Sequence, residues 1–318
     1  MKLTIVLTIF NKEPFLRKAL DAILNQEYVS HNDYELLAVN DGSTDGSEQI
    51  IEEYAASFHN VHILTQENQG LSIARNNGVN AACGEYVWFV DADDTIASKS
   101  VYLILKAIDN KPDIIPIYAN TDGIDYIRNA VSRKAKTGKD ILNEGKWEHC
   151  GVFYIIRKEF LLQNSISFLP GIYHEDAEFT PRVLYYADKV EVIPQILYTV
   201  FRDPNSITQV PKAKRAFDYL TVADKLYRFT VENGERNTDI GKKMFTNIAV
   251  IINMAFYIIV QNKCDDQKKF NMEYYNKKEI LNDSLSIAGG KKYGIESFLF
   301  KLFPYQYVKV YKFLKLFG

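Results

Sequence analysis

Three carboxylates stand close together directly after an apolar run that predicts a buried strand. The run is Tyr86–Val90, and Asp91, Asp93 and Asp94 follow it within four positions. Side chains alternate in extended backbone, so Asp91 and Asp93 project to the same side. A divalent cation such as Mg²⁺ or Mn²⁺ would relieve their repulsion, since it takes one or two protein carboxylates and completes its shell with phosphate oxygens and water. The alternative is a helix start, in which Asp93 or Asp94 caps the helix that contains Val101.

A second polar stretch follows another apolar run. Asn40 and Asp41 come directly after Glu35–Val39. The Asp41 carboxylate can accept a hydrogen bond from a base edge or a ribose hydroxyl, and Gly42 allows close approach of the backbone. Ser43 and the threonine after it are expected to cap the next helix. The alternative is an ordinary turn and helix cap without a ligand.

The elements that must position these side chains alternate along the first 120 residues. Apolar runs predict strands at Leu3–Phe10, Glu35–Val39, Val61–Leu64, Tyr86–Val90 and Ile114–Tyr118. Helical stripes between them begin at Phe15, Ile50 and Ile73, and Asn11 is expected to cap the first helix. The alternation predicts βαβ units and strands covered on both faces. Because such a sheet binds ligands beyond the carboxyl ends of its strands, the carboxylates lie where a ligand is expected.

Composition excludes several classes of protein. The 318 residues are 47% hydrophobic and 25% charged, as in globular proteins, and the net charge of −2 argues against a nucleic-acid partner. Three scattered cysteines support neither a disulfide framework nor a zinc site, so a cytoplasmic location is expected. The run Leu3–Phe10 is too short for a secretory signal. No glycine follows it within Ile9–Glu13, which argues against a nucleotidyltransferase or a dinucleotide-binding protein.

The C-terminal third is predicted to be helical, which gives domains at residues 1–208 and 209–318. Ile248–Val260 is apolar except for Asn253, and its 13 residues fall short of the about 20 that cross a bilayer. It predicts a buried helix, with a membrane-facing helix as the alternative. The tail, residues 289–318, has an interfacial amphipathic pattern. Of its six lysines, Lys309, Lys312 and Lys315 fall near one helical face, and the apolar surface comes from Val310, Phe313, Leu314 and Phe317. The alternative is packing on its own domain or on a second copy in a homodimer.

Taken together, these stretches resemble glycosyltransferase family 2 of the bacterial surface-polysaccharide type, whose members are inverting, nucleotide-sugar-dependent enzymes. Six motifs agree with the family in order and spacing over residues 1–208. They are Thr8-Ile9-Phe10-Asn11, Asn40–Asp45, Gly70–Asn76, Asp91–Asp94, Tyr173–Phe179, and Tyr198–Arg202 with Ser206–Thr208. The resemblance implies an α/β fold of the GT-A type, with a Rossmann-like, mixed and mostly parallel sheet flanked by helices and followed by a helical C-terminal extension.

The resemblance also implies a role for each matched residue. The nucleotide would be bound by Thr8, Phe10, Asn11, Asp41, Arg75 and Asp91. Among these, Thr8 and Phe10 would line the base pocket and Asp41 would bind a uracil ring. Arg75 would face the nucleotide, with a surface arginine as the alternative. Asp93, together with Asp91, would hold magnesium or manganese. Asn40 departs from the family, which often has aspartate there, and this departure could loosen recognition of the base or ribose.

Catalysis would depend on an acidic pair further along the chain. The resemblance implies that Asp176 is the catalytic base, with Glu175 as the alternative, and no role is assigned to His174. Arg202 would place a second cation on the diphosphate once its loop closes, unless it is a surface arginine. Trp147, one of only two tryptophans, is a candidate platform for the acceptor sugar, and a packing residue is the alternative.

The expected function is transfer of a sugar, with inversion, from a UDP-linked donor to a hydroxyl of a saccharide or lipid-linked oligosaccharide in polysaccharide biosynthesis. The expected location is the cytoplasm, with peripheral contact through the tail at the inner face of the cell membrane. The alternative is a catalytically inactive protein of the same fold that binds a nucleotide sugar or acts as a scaffold. Because such a protein is expected to have lost the metal or base carboxylates, the presence of Asp93 and Asp176 favours the enzyme.

Overall fold

The computed structural model of the protein describes residues 1–145, 147–201 and 212–316. The chain divides into two compact units. The first comprises Met1–Gly171 and Phe179–Asp203, and the second comprises Ile172–Glu178 and Pro204–Gly318.

A mixed sheet forms the core of the first unit. Its described strands are β1 Leu3–Ile9, β2 Tyr34–Asp41, β3 Val61–Gln66, β4 Tyr86–Asp91, β5 Thr95–Ile96, β6 Ile114–Thr121, β7 Ile124–Arg128, β8 Tyr154–Arg157 and β9 Ile193–Val200. The order is β3-β2-β1-β4-β8-β6-β9-β5, with β7 paired to β6. Neighbours among β3, β2, β1 and β4 are parallel, whereas β8 is antiparallel to β4 and to β6. The predicted strands and the α/β fold class are confirmed.

Helices pack around this sheet. They are α1 Glu13–Leu24, α2 Ser47–Ser57, α3 Leu71–Ala81, α4 Ser100–Ile108, α5 Gly138–Glu144, α6 Lys158–Gln163 and α7 Glu175–Tyr186. β1 and β2 are buried along their whole length, because both of their faces are covered. α3 lies close to β1, since a Cβ at Gly78 would collide with Val6. β3 differs from the expectation of full burial, because it forms an edge of the sheet and is partly exposed.

Two helix starts differ from the prediction. Asn11 does not cap α1, whose N-cap is Lys12 and has no side-chain cap. Neither Ser43 nor Thr44 caps α2, whose N-cap is Gly46. The polar residues at both places instead form hydrogen bonds between the loops that follow β1 and β2.

The structure also differs from the sequence prediction after β4 and over residues 121–150. The alternative in which Asp93 or Asp94 caps a helix is wrong, because α4 begins at Ser100 after a separate short strand. Residues 121–150 have no clear periodicity and carry mixed charge, a pattern that predicts a long surface excursion. This segment contains β7 and α5, and α5 begins with a capping box between Thr137 and Asp140.

The second unit is helical in its described part. Its helices are α8 Ala213–Glu232, α9 Asp239–Ile259, α10 Cys264–Asn276, α11 Lys278–Ala288, α12 Gly290–Leu302 and α13 Tyr307–Leu314. Phe256 of α9 lies at the centre of an aromatic cluster. Its ring contacts those of Phe270, Tyr274, Phe300 and Tyr311. Aromatic rings bury large apolar areas, so this cluster accounts for much of the packing of the unit.

α9 is the one described helix that is long and apolar enough to cross a bilayer. Most of its apolar side chains are buried against the other helices, as the core helix of a globular protein would be. The amide of Asn253, the polar residue within the apolar run, donates to the Glu296 carboxylate at 2.8 Å. The prediction of a buried helix over this run is confirmed.

Candidate active site

The ends of β1, β2 and β4 bring several of the predicted nucleotide-binding residues to one edge of the sheet. Thr8 of β1 lies opposite Val39 of β2 and opposite Asp91 of β4. Because the three strands are parallel and adjacent, their carboxyl ends share this edge. The Thr8 side chain is buried, whereas the ring of Phe10, directly after β1, is 46% exposed. An exposed aromatic ring at this position can stack on a planar base.

Asn11 joins the loops that follow β1 and β2. Its backbone is left-handed, with φ of 52°. Its side-chain oxygen accepts from the Thr44 backbone N–H at 2.7 Å, and its own N–H donates to the Ser43 hydroxyl at 3.1 Å. Asn11 therefore fixes the loop after β1 against the loop after β2 through these two hydrogen bonds.

Asp41 organises the loop that precedes α3. One carboxylate oxygen accepts from the Gln66 amide and from the Gln69 N–H, both at 2.8 Å, and the other accepts from the Gly70 N–H at 2.9 Å. The carboxylate is almost fully buried. Since a carboxylate has about four acceptor positions, about one remains for a ligand.

Arg75 of α3 is buried, with only 1% exposure, so the alternative of a surface arginine is wrong. Its guanidinium donates to an Asp91 oxygen at 2.9 Å. It also lies over the ring of Phe168, 5.1 Å from the centroid, and over that of Phe89. A guanidinium held between a carboxylate and aromatic faces is fixed in position. The site thus places a rigid cation beside the end of β4.

Asp93 forms an ion pair with the ammonium group of Lys12, which directly follows Asn11 at the end of β1. Both side chains are partly exposed. An ion pair of this kind contributes at most about 1 kcal/mol, so another cation can displace the lysine at little cost. The sequence interpretation missed Lys12, although a cationic residue immediately after a strand end was a signal that could have identified it.

Asp94, unlike the partly exposed Asp93, bonds only within the protein interior among the contacts described. It is buried, and its oxygens accept from the Tyr198 hydroxyl at 2.7 Å and from the Phe201 N–H at 2.8 Å. The Tyr198 hydroxyl in turn accepts from the Asp91 N–H at 3.1 Å. Burial, reinforced by the charge of nearby Asp91, raises the pKa of Asp94 to about 8. The Asp94–Tyr198 pair therefore ties the end of β4 to β9.

We expect Tyr198→Phe to lower the free energy of unfolding by about 1–3 kcal/mol, because a buried Asp94 oxygen and the Asp91 N–H both lose a partner. The matched control is Tyr86→Phe, which removes another buried hydroxyl of the same sheet, bonded to the Pro112 carbonyl. Urea unfolding measures both variants. Only Tyr198→Phe should also weaken nucleotide binding, and equal nucleotide affinity in the two variants would contradict a positioning role for Tyr198.

The acidic pair lies at the first turn of α7, and this turn, Glu175–Glu178, belongs to the second unit whereas the rest of the helix belongs to the first. Glu175 is the more buried of the two, at 8% exposure, and Asp176 is intermediate. The preceding residue, His174, has a φ of 63° and stacks on the ring of Tyr219 at 3.8 Å between centroids. Arg215 approaches the same imidazole at 3.3 Å. Since the N-terminal turn of a helix favours anionic side chains, the local structure suits an ionised pair.

Trp147 and Arg202 are the other two residues that the sequence predicts for the site. Trp147 is half-buried, and its ring contacts His149 edge-on at 4.9 Å. Arg202, with the motif at Ser206–Thr208, lies outside the described residues. The roles that the resemblance implies for Trp147 and Arg202 therefore stay predictions.

Comparison with known sequences supports one family. Residues 4–163, half of the chain, match the model "Glycosyl transferase family 2". An uncharacterised glycosyltransferase, YibD of Escherichia coli (strain K12), is 28% identical over 66% of this chain and 64% of its own length. A second, EpsJ of Bacillus subtilis (strain 168), is 30% identical over 65% and 63%. A poly(ribitol-phosphate) beta-glucosyltransferase of Bacillus spizizenii is 30% identical over 66% and 34%. The match thus covers less than two thirds of each relative.

Comparison with solved structures supports the fold. Residues 1–349 of S. aureus TarS, in complex with UDP-GlcNAc, superpose with a TM-score of 0.71 at 20% identity, over 90% of this chain and 84% of that one. The mannosyltransferase PcManGT of Pyrobaculum calidifontis, in complex with GDP-Man and Mn²⁺, gives 0.55 at 15% identity, over 99% and 87%. Together with the shared edge formed by β1, β2 and β4, the matched half of the sequence shows that the chain belongs to glycosyl transferase family 2.

Proposed function

We propose that this protein transfers a sugar from a UDP-linked donor to a hydroxyl of a saccharide or lipid-linked acceptor, with inversion at the anomeric carbon. The observation that carries the proposal is the arrangement of carboxylates around the end of β4. Asp91 is held by Arg75, Asp94 is buried against Tyr198, and Asp93 contacts a displaceable lysine. This division leaves Asp93 as the carboxylate suited to bind a cation from solution.

The nucleotide is proposed to lie along the edge formed by β1, β2 and β4. Phe10 offers an exposed ring for the base, and Asp41 keeps about one acceptor position for a base N–H. Arg75 and Asp91 are proposed to face the ribose and phosphates, and their bonds to the surrounding protein support this by fixing their positions. UDP-GlcNAc in the TarS complex, which shares the fold, supports uridine as the base.

The residues present fit a divalent cation of the magnesium or manganese type. Lys12 already places a positive charge on Asp93, as a stand-in for such an ion. No cluster of three or more metal-binding side chains occurs in the described residues, so the ion would share Asp93, with Asp91 beside it, and draw its other ligands from the diphosphate. When bound, the ion would act as a Lewis acid that stabilises charge on the leaving diphosphate. Mn²⁺ in the PcManGT complex supports this choice of ion.

Asp176 is proposed as the base that takes the proton from the acceptor hydroxyl during attack on the anomeric carbon. Its side chain is more exposed than that of Glu175, and a base must reach the hydroxyl directly or through one water. Glu175 is buried near Tyr219, so it is better suited to a structural role. Attack by the hydroxyl and departure of the diphosphate from opposite faces inverts the anomeric configuration.

The acceptor is proposed to be a saccharide hydroxyl of a surface polymer or of a lipid-linked precursor. The similar poly(ribitol-phosphate) beta-glucosyltransferase acts, by its name, on a hydroxyl-bearing polymer, which supports this class. Trp147 is half-buried and could present part of its ring to such a sugar. The alternative of an inactive protein is not favoured, because Asp93, the proposed metal ligand, and Asp176, the proposed base, are both present.

Thermal unfolding with a panel of nucleotide sugars tests the donor assignment. We expect UDP-GlcNAc or UDP-glucose with Mn²⁺ to raise the melting temperature, because a ligand at 100 times its Kd stabilises the folded state by about 2.7 kcal/mol. GDP-mannose and ADP-glucose are the matched controls and should shift it less. Equal shifts with all nucleotides, or none with any, would contradict a uridine-specific site.

A further inference from the structure

An outward-facing apolar stripe runs along α12. Ile295, Phe298 and Leu302 lie three and four residues apart, so they share one face of the helix. All three are at least half exposed, and Phe298 reaches 64%. The opposite side of α12 is also occupied, because Phe300 packs inside the unit. α12 thus has apolar residues on both sides, although only one side faces the protein.

A second apolar stripe lies on α9. Val250, Met254 and Tyr257 share one face of that helix and are exposed, whereas most of its other apolar side chains are buried. Asn253, which lies between Val250 and Tyr257 in sequence, bonds to Glu296 of α12. This bond joins the two helices. Exposed apolar side chains that are grouped on a helix face are a common sign of a binding surface.

α13, the helix that follows α12, packs on the rest of the unit through one buried face. Tyr307, Val308, Val310 and Tyr311 of α13 are buried, and the Tyr311 ring stacks on Phe256. The expectation that Val310 belongs to an exposed interfacial helix is therefore wrong. Phe313 and Leu316, near the end of the described chain, remain exposed.

The helix that carries the α12 stripe and the helix that follows it are rich in lysine. Lysines stand on or beside α12 and α13 at Lys291, Lys292, Lys301, Lys309, Lys312 and Lys315. The only acidic side chain from residue 284 to 316 is Glu296, which is buried. The charges of Lys292 and Lys315 both act on Glu296, so they lie near the junction of α9 with α12. We call the stripes on α12 and α9, together with Lys291, Lys292 and Lys315, the lysine-bordered face.

We propose that the lysine-bordered face binds the surface of an anionic lipid bilayer. Phe298 and its apolar neighbours would enter the boundary between headgroups and acyl chains, and the lysines would remain at the level of the anionic headgroups. Charge complementarity favours this partner over a second copy of the chain, because two such faces brought together would place like charges against each other. The proposal does not depend on the transferase chemistry, since membrane binding requires neither donor nor metal.

Co-sedimentation of the full chain with vesicles tests the proposal. We expect binding to vesicles of phosphatidylglycerol and phosphatidylcholine, weaker binding to phosphatidylcholine alone, and loss of binding at high salt. The variant Phe298→Ser/Leu302→Ser should abolish partition into the membrane. Lys291→Gln and Lys292→Gln should each weaken binding to anionic vesicles by about fivefold. Matched controls are Met272→Ser and Lys268→Gln, exposed changes on α10 that should leave binding unchanged.

Each outcome decides the proposal. All the changes are on the surface, so thermal unfolding should be unaltered and a folding defect is separated from a binding defect. Failure to bind anionic vesicles overturns the proposal. Light scattering after gel filtration tests whether a second copy of the chain occupies the face instead. If the protein does not bind vesicles but forms a dimer, and Phe298→Ser/Leu302→Ser dissociates that dimer, the occupant is a second copy. Uridine nucleotide binding by the first unit would stay intact in either event, so failure here leaves the proposed function standing.

Discussion

Asp93→Asn should lower the rate of sugar transfer by more than about 10²-fold while the protein stays folded. Asparagine keeps the size of the side chain but removes the charge that would hold a divalent cation. A cation acting as a Lewis acid on the leaving diphosphate contributes several kcal/mol, and each 1.36 kcal/mol corresponds to about a tenfold change in rate. The substitution also removes the ion pair with Lys12, but a partly exposed pair adds at most about 1 kcal/mol to stability.

Binding of Mn²⁺ in the presence of UDP, followed by electron paramagnetic resonance, gives a readout that does not depend on turnover. Asp93→Asn should weaken this binding strongly. Lys12→Gln is the matched control, because it removes the other half of the same ion pair and leaves the carboxylate available, so Mn²⁺ binding should be retained or tightened. A folded Asp93→Asn protein with normal Mn²⁺ affinity and normal turnover would exclude Asp93 from the site.

The sequence predicts the positions of the site residues that lie at or directly after the ends of strands. β1, β2 and β4 are continuous apolar runs, and the residues that follow each run must lie at one edge once the strands pair in parallel. The placement of Thr8, Asp41 and Asp91 therefore follows from local patterns. Family motifs add the order of these residues but no contacts.

The contacts that support the site depend on residues far apart in the chain. Tyr198 bonds to Asp94 across 104 residues, and Arg75 packs on Phe168 rather than facing solvent. No local pattern distinguishes a buried arginine from a surface one, because the burial is created by aromatic side chains from a distant segment. The same limit applies to Asn11, whose left-handed backbone redirects its side chain from α1 to Thr44.

Asp176→Asn should lower kcat by about 10²–10⁴-fold, the usual contribution of a general base, and leave donor binding unchanged. The amide has the shape of the carboxylate but does not take a proton from the acceptor hydroxyl. Loss of one negative charge at the first turn of α7 costs about 0.3–1 kcal/mol of stability, so the variant should fold. Turnover with a saccharide acceptor, and UDP binding by thermal unfolding, measure the two effects separately.

Glu175→Gln is the matched control, because it changes the adjacent carboxylate in the same way. If Asp176 is the base, the control should retain most of its turnover and lose stability instead, since Glu175 is buried and its partners would be left with an amide. The reverse pattern, with turnover lost in Glu175→Gln and kept in Asp176→Asn, would assign the proton transfer to Glu175. Proton NMR of the product adds an independent check, because retention of the donor's anomeric configuration would contradict displacement by a single base whichever carboxylate supplies it.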